Sequence, residues 1–154
     1  MSFKLDIGCG KNKAKGFIGI DKNMHADVDF LVNIDKDLIP IPNSSVDFIR
    51  CIHTLEHCEN IIFIMNEFYR VCKNKARIHI QIPYGATPRF VQDPTHRTMF
   101  NEFTFPKYLT NNDYVAIFAD YGLKANFKII NQCIYGAEFN KLDLFITLEV
   151  EKCI

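Results

Sequence analysis

The sequence predicts an open, doubly wound α/β sheet of seven strands, mostly parallel, ending in an antiparallel C-terminal hairpin. Three observations predict it. Seven short runs rich in aliphatic and aromatic residues are bounded by turn residues. At least one intervening segment has helical spacing of its apolar side chains. The last two runs are separated only by Gly136 to Lys141, too short for a crossover helix. With 154 residues the chain has the length of one domain and can bury a sizeable core, so residues 1–154 are read as a single unit.

The expected strands are Phe3 to Ile7, Phe17 to Ile20, Val28 to Asn33, Val46 to Ile52, Arg77 to Ile82, Phe127 to Ile134 and Leu142 to Val150. Between the fourth and fifth, Asn60 to Lys73 places Ile61, Ile64, Met65, Phe68 and Cys72 on one helical face, with Glu67, Arg70 and Lys73 mostly on the other. A second helix is expected from about Asn112 to Tyr121, with Asp113 favouring its start and Gly122 its left-handed end. Only six residues separate Gly10 from Phe17, and six separate Asp21 from Val28, so the first crossover helices are shortened or missing. Parallel strands need cover on both faces. An under-covered face therefore suggests a homodimer, a second copy being the simplest cover.

Composition narrows the function. A hydrophobic fraction of 48% with 14 Phe excludes a disordered chain. No apolar run approaches the ~20 residues of a membrane-spanning helix. The chain enters a strand at Phe3 without the charged and apolar regions of a secretory signal, so a cytoplasmic location is expected. Zero formal charge and a pI near 6.9 carry no strong nucleic-acid signature. The six cysteines form no CxxC pair and are expected to be reduced.

The strongest chemical signal is Leu5-Asp6-Ile7-Gly8-Cys9-Gly10, a buried strand ending in two glycines spaced by one. Glycine there lets backbone pass close to a ligand, although a lone GxG is also compatible with a tight turn. The next strand closes on Asp21, an acceptor placed to take the ribose hydroxyls of a nucleoside cofactor. A nicotinamide fingerprint would want glycine where Lys13 stands, and a full helix before the second strand.

From Leu5 to Asp21 the chain resembles class I S-adenosylmethionine (SAM)-dependent methyltransferases, in particular a compact subgroup whose first motif reads LDIGCGxxKxxGFIGID. Leu38 to Asp47 resembles the family's LPFPDNSFD stretch, Ile52 to His57 its xHVLEH segment, and Phe68 to Lys73 its YRVLKPGG helix end, with Asn74-Lys75 replacing the usual Pro-Gly. Asp93-Pro94-Thr95-His96-Arg97 is similar to the subgroup's DPTHRRFF.

The resemblance implies a Rossmann-like fold and methyl transfer from SAM, with S-adenosylhomocysteine as product. It implies that Gly8, Cys9 and Gly10 contact the cofactor through their backbone, and that Asp6 accepts from its ammonium, directly or through water. Lys13 and Lys22 flank the site, Asp21 binds the ribose, Asp35 meets the adenine amino group, and the backbone at Cys51, Ile52 and His53 lines the pocket. A sulfonium methyl is already activated, so alignment of the nucleophile carries most of the rate. His96, Arg97 and Tyr84, beyond the fifth strand, are the candidate catalytic residues, with loop bonding as the other role open to His96 and Arg97. His53 and His57, flanked by Cys51 and Cys58, are not expected to converge across the turn between them, so no metal is expected. The acceptor is expected to be a small molecule or glycan. A protein or nucleic-acid methyltransferase, or a non-catalytic SAM-binding adaptor, remains open.

Overall fold

The computed structural model describes residues 2–24, 27–85, 87–110 and 119–152. Seven strands form one sheet in the order β3-β2-β1-β4-β5-β7-β6: β1 (Phe3–Ile7), β2 (Ile18–Asp21), β3 (Phe30–Leu31), β4 (Val46–Ile52), β5 (Cys72–Pro83), β6 (Phe127–Tyr135) and β7 (Asp143–Val150). β3, β2, β1, β4 and β5 run parallel, whereas β7 pairs antiparallel with both β5 and β6. This is the expected fold class. Between β1 and β4, the described residues contain no helix.

The main helix, α1 (Ile61–Val71), starts where the Asn60 side chain accepts from the Phe63 N–H at 3.3 Å. It buries Ile64, Met65, Phe68 and Val71 completely against the sheet. It stops two residues short of the expected end because Cys72 is already extended and begins β5. Glu67, expected on the solvent side, is 6% exposed. Its carboxylate accepts from the Ile39 N–H at 3.0 Å and pairs with Arg70, which also donates to the Ile39 and Ile41 carbonyls. α1 is thus bolted to the loop preceding β4.

β3 is shorter than expected, two residues in place of Val28 to Asn33. The Asp29 carboxylate accepts from the Gly19 N–H at 2.7 Å, using a donor that a longer ladder would need. Four residues beyond β5 form a short helix, α2 (Pro88–Val91). The expected helix from Asn112 to Tyr121 lies mostly outside the described residues, within which Ala119 and Asp120 are helical and Gly122 has φ of 90°.

The two sheet faces differ in kind. Leu5, Ile7, Ile20, Ile49, Cys51, Ile78, Ile80, Ile146 and Leu148 point into the core. Residues of opposite parity present Arg50, Arg77, His79, Gln81, Thr147 and Glu149 on the other face. That face is mainly polar, and internally bonded: Asp6 with Arg50 at 2.7 Å, His79 with Thr147 at 3.3 Å, Gln81 with Asp143 at 2.7 Å. The under-covered face on which a dimer was expected thus carries mainly polar side chains, with Phe48, Ile52 and Phe145 half-buried among them. No helix among the described residues is long and apolar enough to cross a membrane.

Candidate functional site

In an open α/β sheet, ligands bind beyond the carboxyl ends of the strands, where the strand order reverses. Here that point lies between β1 and β4, and a cavity of about 530 Å³ opens there. Gly8 follows β1, Asp21 ends β2, Asn33 to Asp35 follow β3, and His53 and Thr54 follow β4; all line it. Gly8 has φ of 66°, and a Cβ there would overlap the Thr54 hydroxyl. Thr54 in turn bonds to the carbonyls of Ile7 and Ile52 at 3.2 and 3.0 Å, tying the two strand ends together.

The two acids of the cavity are held by backbone. Asp21 accepts from the Gly10 N–H at 3.0 Å and the Asn23 N–H at 2.8 Å. Asp35 Oδ1 accepts from the Glu59 and Asn60 N–H groups at 2.9 and 3.0 Å, just ahead of α1. Such charge-assisted bonds fix both carboxylates in place. Cys58 also lines the cavity, and burial, reinforced by Asp35, pushes its thiol up to about 12. The neutral S–H donates to the Thr54 carbonyl at 3.4 Å.

Of the residues given a cofactor-binding or catalytic role in the sequence, Gly8, Asp21, Lys22, Asp35, His53 and Arg97 line this cavity. The others lie elsewhere. Asp6 is fully buried, accepting from the Ala14 N–H at 2.8 Å and from Arg50. Cys9 and Cys51 are buried, and neither they nor Gly10 and Ile52 are on the wall. Lys13 pairs with Asp29 at 2.8 Å; the bond raises the ammonium pKa and, with the Gly19 N–H, lowers that of the carboxyl. Tyr84 donates to Glu102 at 2.6 Å, away from the wall. Sequence reasoning missed Thr54, His57, Cys58 and Thr95 as wall residues. Thr54 follows the end of β4, a placement the strand assignment already carried, but His57 and Cys58 come in by the short helical turn Leu55–His57, and the packing of Thr95 against His57 is a tertiary event.

That packing comes from the loop after β5. The Glu56 carbonyl accepts from the Arg97 N–H at 2.6 Å and the Thr98 N–H at 3.2 Å, while Thr98 Oγ1 donates to the Cys58 carbonyl at 2.6 Å. The loop is therefore a fixed wall of the cavity. Arg97 faces Glu59 at 3.8 Å and not Asp93, whose carboxylate is taken by the N–H and hydroxyl of Thr95. Those two bonds hold the Asp93 pKa low. His96 is turned inward, with Nδ1 2.7 Å from the Phe90 carbonyl, and lines a second cavity of about 220 Å³ with His53, Glu56 and His57.

A family model described as a methyltransferase domain matches residues 15–80, less than half of the chain. Three solved structures superpose over nearly its whole length. A SAM-dependent methyltransferase from Archaeoglobus fulgidus is 16% identical, with TM-score 0.61 over 96% of this chain and 86% of that one. A second, from Methanosarcina mazei, is 17% identical, with TM-score 0.63 over 96% and 92%. The 1,6-didemethyltoxoflavin-N1-methyltransferase of Burkholderia thailandensis, with bound 1,6-didemethyltoxoflavin and S-adenosylhomocysteine, is 9% identical, with TM-score 0.64 over 97% of this chain and 71% of that one. The fold is the Rossmann-like methyltransferase fold. No curated protein matches the sequence. At these identities the structural likeness concerns the chain path, and the methyltransferase-fold chain keeps its own wall residues.

Proposed function

We propose that this methyltransferase-fold chain binds SAM in the larger cavity and transfers its methyl group to a small molecule or glycan. The observation that carries the reading is the cavity at the strand-order reversal, lined by Gly8 and by Asp21 and Asp35, each anchored by backbone N–H groups. Its volume lies within the ~300–1,000 Å³ of small-molecule sites. Asp21, at the end of β2, is placed for the ribose hydroxyls, and Asp35 for the adenine amino group. Gly8, without a side chain, lets the methionyl part lie against backbone.

The cofactor supplies an activated sulfonium methyl, so the chain's own part is to hold an acceptor in line with it and keep water out. His53, His57, Thr95 and Arg97, which also line the cavity, are the groups available for that. The near-neutral overall charge favours a small acceptor over a polyanion.

The test is incubation of the purified chain with isotopically labelled SAM and fractionated cell extract. The reading predicts label in low-molecular-weight or glycan material, absent when excess S-adenosylhomocysteine competes. SAM binding with no labelled product in any fraction would make the chain a non-catalytic adaptor. Label in protein or nucleic acid alone would overturn the acceptor class.

A further inference from the structure

We propose that Glu56, His57 and His96 form a site for one divalent first-row transition ion, such as Zn²⁺, in the smaller cavity beside the candidate SAM pocket. One ligand atom from each of the three lies within 4.8 Å of the others. The ring centroids of His57 and His96 are 4.8 Å apart. Two imidazoles and one carboxylate are the donor set of open, three-ligand metal centres, and they favour transition ions over Mg²⁺ or Ca²⁺.

Two independent observations point from this cluster to a cation. The first is an orphan. Glu56 is 1% exposed, and its Oε2 has no hydrogen-bond partner, while Oε1 lies 3.3 Å from His53 Nδ1. A buried carboxylate oxygen without a donor is expensive, and a bound cation removes that cost.

The second is the orientation of the two rings. The Thr95 hydroxyl donates to Asp93 Oδ1 at 2.7 Å, which uses its only hydrogen. Toward His57 Nδ1, 3.0 Å away, that oxygen acts as acceptor, so Nδ1 carries the proton. His96 Nδ1 faces the Phe90 carbonyl at 2.7 Å, and a carbonyl can only accept. In the neutral form both rings therefore keep the lone pair on Nε2. A partner on the far nitrogen that fixes tautomer and angle is what ligating histidines need. The Asp93 carboxylate, 3.7 Å from His96 Nε2, adds negative charge at the rim, and Arg89 on the same wall is paired with Asp143 at 3.0 Å.

Bonds of ~2.0–2.2 Å to one ion require the donors to close in by rotation of these side chains. A three-ligand site leaves a coordination position open. His53 and His57 line both cavities, so on the SAM reading above that position would take an oxygen of the acceptor beside the transferred methyl.

The experiment is calorimetric titration of the chelator-stripped full chain with Zn²⁺, and its absorption spectrum with Co²⁺, both without SAM. One equivalent should bind, and the cobalt spectrum should show d–d bands without thiolate charge transfer. Glu56→Gln and His96→Asn should each weaken binding at least about tenfold while far-ultraviolet circular dichroism stays that of the parent. If Glu56→Gln does not fold, His96→Asn, on the loop, carries the comparison alone. No stoichiometric binding by the parent, unchanged binding by folded His96→Asn, or a thiolate signature would each overturn the site. None of these results depends on methyl transfer, so failure here leaves the SAM reading standing.

Discussion

At the scale of single residues, the site is built from a few positions whose backbone is as important as their side chains. Gly8 is the clearest, since it combines φ of 66° with contact against Thr54. Gly8→Ala should destabilise the fold by about 1–2 kcal/mol for the left-handed conformation and by a further ~1–3 kcal/mol for overpacking. Urea denaturation checks it; an unchanged midpoint would mean that Thr54 yields freely. His53, also at positive φ (49°), shows the same economy. A non-glycine residue there is costly and persists where its surroundings over-determine it, here Glu56 at 3.3 Å and Asp143 at 3.4 Å. Gly8 and Asp21 could be read as wall positions because each stands at the end of a strand visible in the sequence, whereas Gly10, expected beside Gly8, is off the wall. The burial of Asp6 under Arg50 was not, since that partner comes from a strand 44 residues away and nothing in LDIGCG announces it.

At the scale of elements, β1, β4 and the existence of α1 could be read from alternation and helical spacing, and the bounds of β1 and β4 agree with the expected ones. What periodicity missed was Glu67 and Arg70, polar residues on a helix that serve as internal bolts. Arg70 donates to Glu67, Asn43 and the carbonyls of Ile39 and Ile41, and the Glu67 carboxylate holds the guanidinium pKa up. Arg70→Ala would leave a buried carboxylate and two carbonyls short of donors. We expect a loss of about 1–3 kcal/mol, less than for a fully buried pair because the Arg70 side chain is 28% exposed. Thermal unfolding measures it, and Arg70→Lys should restore only part, since an ammonium cannot span the same acceptors. A melting temperature equal to the parent's would remove the bolt from this account.

At the scale of the whole molecule, the sheet closes one face with a core and leaves the other polar. Phe48, Ile52 and Phe145 interrupt the polar set, and the pairing register that collects Arg50, His79 and Thr147 in one row is not visible in any single strand. That face has a consequence for pH. Burial, and secondarily Arg50, lowers the His79 pKa below its ordinary 6.5, so the unfolded chain binds a proton more readily than the folded one. Its contribution is complete above about pH 6.5 and is lost as pH falls from there toward the folded-state value. Stability from urea melts should decline over that window, and His79→Gln should flatten the decline; an identical slope in the variant would rule His79 out as its source.

The central claim, that the cavity between β1 and β4 is a SAM site, is tested most directly by calorimetric titration of the purified chain with S-adenosylhomocysteine, beside Asp21→Ala. The account predicts one site per chain, and a loss of about 1.5–3 kcal/mol in the variant, or one to two decades of affinity. A folded parent that takes up no ligand, or a folded Asp21→Ala that binds as tightly as the parent, would contradict it.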